Sequence, residues 1–497
     1  MIDYHALAPE IALVATILVV LTLDVALPRS QKFWTAVAAL VGLTAAAVPL
    51  ITLAFGSEDS GARSMLDGGY VVDEFALVVK GLFIAAGYIV LLMSVSYIES
   101  DRYYQGEYYL LVVISILGSV VMASSRDLIT LFIGLEMVTG PLFLLAGWRK
   151  GDVKSNEASL KFFILGVLST AVLLYGMSFL YGLTGSVQFD GIREAAAGVG
   201  NEPAFQLAVL FTIIGFGFKV SAVPFHFWAP DTYEGAPTPV TAYLSVSSKA
   251  AGFVGMLLVS YLAFPTVSDI WGPALWILAA LSMTLGNLTA LRQVNIVRLL
   301  AYSSVAQAGF IMVPFAAAAV SNPDVFGDAF AATIVYIIIY AFMNLGAFGV
   351  VIAVSRKAGS ANIDDWAGLG TYAPGLGALA ALFFFSLAGI PPLAGWFAKF
   401  VMFRAILSPD NVWTTVLAVI AAVNAVIALY YYARVAKVVW MDPIPATVPA
   451  EEIREAPVAG SLALAMGLSA AFVIVAGFLP QIAAFFGEAS KLIIAGL

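Results

Sequence analysis

The 497-residue chain is 62% hydrophobic and 11% charged, with a mean hydropathy of +0.98 and a formal net charge of −8. Soluble domains carry about 25% charged residues, so this balance excludes a soluble globular enzyme, and no basic stripe marks a nucleic-acid partner. With no cysteine and only two histidines, His5 and His226, the chain offers no disulfide, thiolate-held iron–sulfur cluster, Cys-ligated zinc or bis-histidine haem, and it has no GxxxxGK[ST] loop for ATP.

Apolar runs of about 18 to 25 residues, each long enough to cross a bilayer as a helix, recur along the whole chain. The first, 7–27, follows a start with Asp3 and Glu10 but no Lys or Arg. It lacks the basic leader of a cleaved signal peptide and is expected to remain in the mature protein. Spans at 33–55 and 71–97 come next, the latter with Lys80 inside it. Spans at 108–124 and 127–148 follow, and Glu136 lies near the middle of the second. The sixth, 160–183, has Lys161 at its start. The seventh, 205–228, carries Lys219 and is interrupted at Pro224, two residues before His226. The segment "DTYEG", 231–235, reads as a loop before the eighth span, 238–264, which holds Lys249 near its centre. The ninth to eleventh are 272–291, 296–320 and 328–354. The twelfth, 374–407, is interrupted at Pro391 and Pro392, with Lys399 just beyond. The last two are 412–439 and 459–487.

The pattern predicts an all-α polytopic membrane protein of about fourteen transmembrane helices. Of the 23 Lys and Arg residues, thirteen fall on one set of alternate loops, five on the other and five inside spans. That bias places both termini on the outer side, as an even number of spans requires. "KVSAVPFHFWAPD" and "FFFSLAGIPPLAGWFAKF" break the seventh and twelfth spans in the same way. They lie five spans apart, so the two copies run in opposite directions, as in inverted-repeat transporters. The expected division is three N-terminal spans in 1–106, a first five-helix repeat in 107–264, an inverted second in 270–440, and a loop with the last span in 441–497.

A charge at a helix centre costs roughly 2.5 to 3.5 kcal/mol on the insertion scale. Lys80 and Lys161 lie close enough to span ends to reach the interface with their long stems. Glu136, Lys219, Lys249 and Lys399 do not, and such a set persists only if paired or facing internal water. A free lysine holds its proton too firmly to pass it on at neutral pH; removal from water weakens that hold, and a nearby carboxylate strengthens it. A Glu–Lys pair that separates and closes can therefore release and retake a proton. The prolines free helix carbonyls for water or side chains, and His226 is suited to shuttle protons near neutral pH.

From Pro224 onward, "PFHFWAPDTYEGAPTPVTAYLSVSSKAAGF" resembles the N subunit of respiratory complex I, the proton-translocating NADH–quinone oxidoreductase. The wider group comprises the antiporter-like L, M and N subunits and Mrp-type cation/proton antiporters. The "PDxYEGAPTPV" form is characteristic of subunit N; Lys399, where M has a glutamate, and the lack of a long C-terminal arm distinguish the chain from M and L. The resemblance implies a hydrated line in which Glu136 and Lys219 pair at mid-membrane, His226 stands by the break, Lys249 connects half-channels and Lys399 lies toward the exit. Lys161 would extend that line. It further implies a multi-pass location in the inner (plasma) membrane and proton uptake from the cytoplasm driven by quinone reduction elsewhere. Flavin mononucleotide, iron–sulfur clusters and quinone would belong to other subunits, and the partners would be subunits M and K and the lateral helix of L. The alternatives are an Mrp-type sodium/proton antiporter subunit and a non-transporting scaffold.

Overall fold

Backbone amides out of reach of water must bond within the chain, and helices meet that demand here. The computed structural model describes residues 2–55, 62–100, 106–319, 323–444 and 458–494. Among them, twelve helices are long and apolar enough to cross a bilayer. The seventh and twelfth predicted spans instead fall into shorter pieces, Pro203–Lys219 with Trp228–Gly235 and Pro374–Ala388 with Ala394–Leu407. The chain is thus a helical, multi-pass membrane protein.

Burial sorts the helices into a centre and a rim. The most apolar stretch of Thr238–Ala263 is 100% buried and that of Val325–Ala358 94%, against 33% for Ala8–Ala26, Val153–Thr184 and Val412–Met441. Lys249, Gln307 and their neighbours therefore sit in the middle, with more exposed helices around them. Small residues let the central helices approach closely. A Cβ on Gly118 would fall 2.7 Å from the Val138 amide, and one on Gly309 2.7 Å from that of Met283. The Glu107–Ser124/Leu128–Ala146 pair and the Ser268–Ala290/Ile296–Ala318 pair pack through these positions.

The helices bear out an all-α architecture, and beside them lies one short antiparallel hairpin, Arg63–Met65 with Tyr70–Val72. Its turn runs through Leu66, Asp67 and Gly68, all with positive φ, and Arg63 ties it to Asp3 at 2.9 Å. Between the sixth and seventh spans lies a further helix, Phe189–Val199, with Phe189, Ile192 and Ala196 buried along one face. "DTYEG" is not a loop but the end of the helix Trp228–Gly235. The last span is divided into Gly460–Phe478 and Pro480–Ser490, because Pro480 has no N–H with which to continue the helix. Arg102, Arg454 and most of the loop assigned to 441–458 lie outside the described residues.

Candidate functional site

The helix Leu128–Ala146 starts at Asp127, whose carboxylate accepts from the Ile129 and Thr130 amides, each at 2.8 Å. That cap sets the rotation of a helix that carries Glu136 and, almost one turn on, Thr139. Facing them, Pro203–Lys219 ends at its lysine, and Ser221 turns the chain with φ +57° ahead of Pro224. Lys219 Nζ donates to Glu136 Oε1 at 3.1 Å, Thr139 Oγ1 at 3.1 Å and Thr170 Oγ1 at 3.3 Å. Thr170 in turn donates to the same Glu136 oxygen at 2.9 Å. An ammonium has three protons to donate, and here each has a partner. The lysine is 4% exposed, whereas the Glu136 side chain is 30% exposed on the flank of the chain.

Past the break, Trp228 Nε1 donates to the Phe218 carbonyl at 3.1 Å, and the Val223 amide donates to Ser282 Oγ at 2.9 Å. These bonds hold an irregular segment that regular helix pairing cannot. Pro224 faces outward, while the His226 ring lies against Phe227 and 6.5 Å from that of Tyr302. The helix Trp228–Gly235 is then clamped by ion pairs. Asp231 takes Lys161 at 2.6 Å and Arg298 at 2.9 Å, and Glu234 takes Arg298 at 2.8 Å and Lys154 at 2.8 Å. This external grip from two other helices explains why a polar, glycine-ended stretch is helical. Lys161 also meets Glu157 at 2.5 Å and is 41% exposed, so its bonded partners are the clamp carboxylates and not the Glu136–Lys219 pair.

Deeper in, Lys249 follows a π-helical turn, Leu244–Ser248. Its Nζ donates to Ser304 Oγ at 2.8 Å and to the Ser304 carbonyl at 2.9 Å. Lys399 Nζ donates to the Ala388 carbonyl at 2.5 Å and stands 5.1 Å from the Phe310 ring centre. Both amines are buried, and among the described residues neither is ion-paired with a carboxylate. The twelfth-span break is sealed by glycines. Gly389 turns the chain at φ +89°, and a Cβ on Gly395 would lie 1.7 Å from the Ser386 carbonyl. Gly395→Val is therefore expected to destabilise the chain by at least the ~1–3 kcal/mol typical of overpacking, read as a lower Tm of the purified complex.

Charge-based reading passes over the uncharged part of the site. Ser303 and Tyr432 share a short hydroxyl–hydroxyl bond, Gln307 bonds Tyr336, Tyr432 and the Leu387 carbonyl, and Asn344 donates to Ser245. The available signal is the cost of a carboxamide in an apolar helix. Lys80 also behaves unlike its expectation. It does not reach the interface but is fully buried, bonded to Glu10 at 2.6 Å, while Tyr70 donates to the same Glu10 oxygen at 2.6 Å. A carboxylate on the first helix satisfies the ammonium more directly than an extended path to water. Among the described residues no group of three or more metal-binding side chains comes together.

Residues 125–425 match the family model described as NADH:quinone oxidoreductase/Mrp antiporter, TM. The NADH-quinone oxidoreductase subunit N of Moorella thermoacetica is 39% identical over 97% of this chain and 96% of its own length. That of Trichlorobacter lovleyi is 38% identical over 99% of this chain and 98% of its own. A chain of the respiratory complex I structure from Thermus thermophilus superposes with a TM-score of 0.78 at 30% identity, covering 97% of this chain and 99% of that one. A chain of the Mrp complex from a Dietzia species reaches 0.85, covering 100% of this chain and 98% of that one, but at 18% identity it speaks for the fold alone. Identity at this level over nearly the full length of both proteins places the chain in the NADH-quinone oxidoreductase subunit N family.

Proposed function

We propose that this membrane subunit of the proton-translocating NADH–quinone oxidoreductase carries protons along Glu136, Lys219, His226, Lys249 and Lys399, and has no redox centre of its own. The observation that supports this most is Lys219, buried with its three donors on Glu136, Thr139 and Thr170. Its ammonium reaches the Glu136 carboxylate both directly and through the Thr170 hydroxyl, which donates to the same oxygen. Flavin mononucleotide, iron–sulfur clusters and quinone belong to other subunits in this reading, and quinone reduction there drives the row. Protons enter from the cytoplasmic side, where Lys161 and its acidic partners stand, and leave outside past Lys399.

The two broken segments complete fourteen crossings, with both termini outside the inner (plasma) membrane. The five-helix sets 107–264 and 270–440 then form inverted repeats, each with a lysine beside its break. The 30%-exposed Glu136 flank calls for a protein neighbour, since lipid would penalise a mid-span charge by about 2.5–3.5 kcal/mol. Subunits M and K and the lateral helix of L are the neighbours this architecture fits.

The test is Lys249→Ala in the purified complex, reconstituted in liposomes, with protons moved per NADH as the readout. A clear fall is expected, and an unchanged ratio would remove Lys249 from the path. Lys161→Ala is expected to lose less than Lys219→Ala, because Lys161 is solvent-reaching and its ion pairs are worth at most about 1 kcal/mol each. Comparing the two pumping rates in one preparation checks this.

A further inference from the structure

A proline lacks the N–H that would bond the carbonyl four residues earlier. The helix Pro374–Ala388 ends at Gly389, and the Pro391-Pro392 that follows has no N–H to offer, so the carbonyls of Leu387 and Ala388 are left without helical donors. Both are occupied by side chains from other elements. The Ala388 carbonyl takes the Lys399 ammonium, and the Leu387 carbonyl takes Gln307 Nε2 at 3.1 Å. Gln307 is 1% exposed, and its carboxamide is otherwise filled: Oε1 accepts from Tyr336 at 2.8 Å, and Nε2 reaches Tyr432 at 3.4 Å. Three residues earlier on the same helix, Ser304 holds Lys249; three residues later, Phe310 faces Lys399.

We infer that Gln307 is a positioning residue that links the two carboxylate-free lysines, holding the broken carbonyl pair where Lys399 docks and the Tyr432 hydroxyl toward Ser303 and the Lys249 side. An amide does not readily gain and lose a proton, so Gln307 does not carry one. It sets the geometry in which the Ala388 carbonyl receives Lys399, and it stands on its helix between Ser304, which holds Lys249, and Phe310, which faces Lys399. This inference rests on the proton-path reading above. The titratable groups around this site are the phenols of Tyr336, Tyr340, Tyr431 and Tyr432 and the amines of Lys249 and Lys399. Among the described residues no carboxylate is bonded to any of them.

The absence of an acid makes Gln307→Glu informative. It preserves the shape but places a carboxylate one peptide away from the Lys399 acceptor. Ionised, that group holds the ammonium in place; protonated, it restores a neutral side chain. In the intact complex in liposomes, coupled turnover of Gln307→Glu is expected to be at least about fivefold below the parent near pH 8 and to climb toward it near pH 6. Gln307→Leu, which removes the bonds without adding an acid, is expected to be depressed similarly at both pH values. Assembly is checked by the yield of intact complex containing this subunit, and if the leucine variant does not assemble, the glutamate profile decides alone. A Gln307→Glu profile parallel to the parent's would overturn the inference. Lys399→Ala is run alongside. Normal pumping in it would overturn the path itself, whereas a pumping defect there with a parental Gln307→Glu profile would overturn only the role of Gln307.

Discussion

Lys219→Ala is expected to leave the complex assembled while cutting NADH-driven pumping by more than about tenfold, the scale on which loss of a positioned proton-transfer group acts. The lysine is the only group among the described residues that bonds Glu136, Thr139 and Thr170 together. Removing it leaves a carboxylate with one threonine donor and a row broken at its first buried amine. Glu136→Ala is expected to be as severe from the other side. It strands a buried ammonium on hydroxyls alone, and breaking a buried pair typically costs about 3–5 kcal/mol. The measurement is acidification or alkalinisation of liposomes per NADH oxidised, in variants with parental yield of intact complex. Parental stoichiometry in either variant would show that protons do not pass through this pair.

Lys399→Arg separates charge from proton exchange. Arginine keeps the positive charge but remains protonated at any physiological pH. It also replaces a compact ammonium, docked on one carbonyl at 2.5 Å, with a planar fork. The surroundings cannot easily yield, because Gly389 packs against the lysine stem, where a Cβ would lie 2.7 Å from Cδ. The arginine variant is expected to pump nearly as poorly as Lys399→Ala, both at least about tenfold down. Full pumping with arginine would mean that Lys399 acts only through its field. The same liposome assay decides, with proton flux compared at matched NADH oxidation rates.

How much of this site could be read from residues alone differs by element. The span positions follow from runs of apolar residues, and the interrupted segments follow from Pro224 and Pro391-Pro392, because a missing N–H acts at its own place in the chain. The cost of Glu136, Lys219, Lys249 and Lys399 is equally local. "DTYEG" was legible as polar but not as helical, since its helix depends on Lys161 and Arg298 reaching it from two distant segments. Lys80 was legible as a charge in a span, but its partner Glu10 lies 70 residues earlier.

Local composition by itself determined that this chain is a polytopic membrane protein with a few costly charges and two breaks. Each of those statements concerns what a residue or a short run loses on leaving water. Only the tertiary structure decided which groups compensate that loss. It gave Lys219 a carboxylate, Lys249 a serine, and Lys399 and Gln307 the two carbonyls left open where the helix ends before Pro391-Pro392. Those choices depend on which helices pack together and at what rotation, set by close contacts such as those at Gly118 and Gly309, and no single apolar run contains that information.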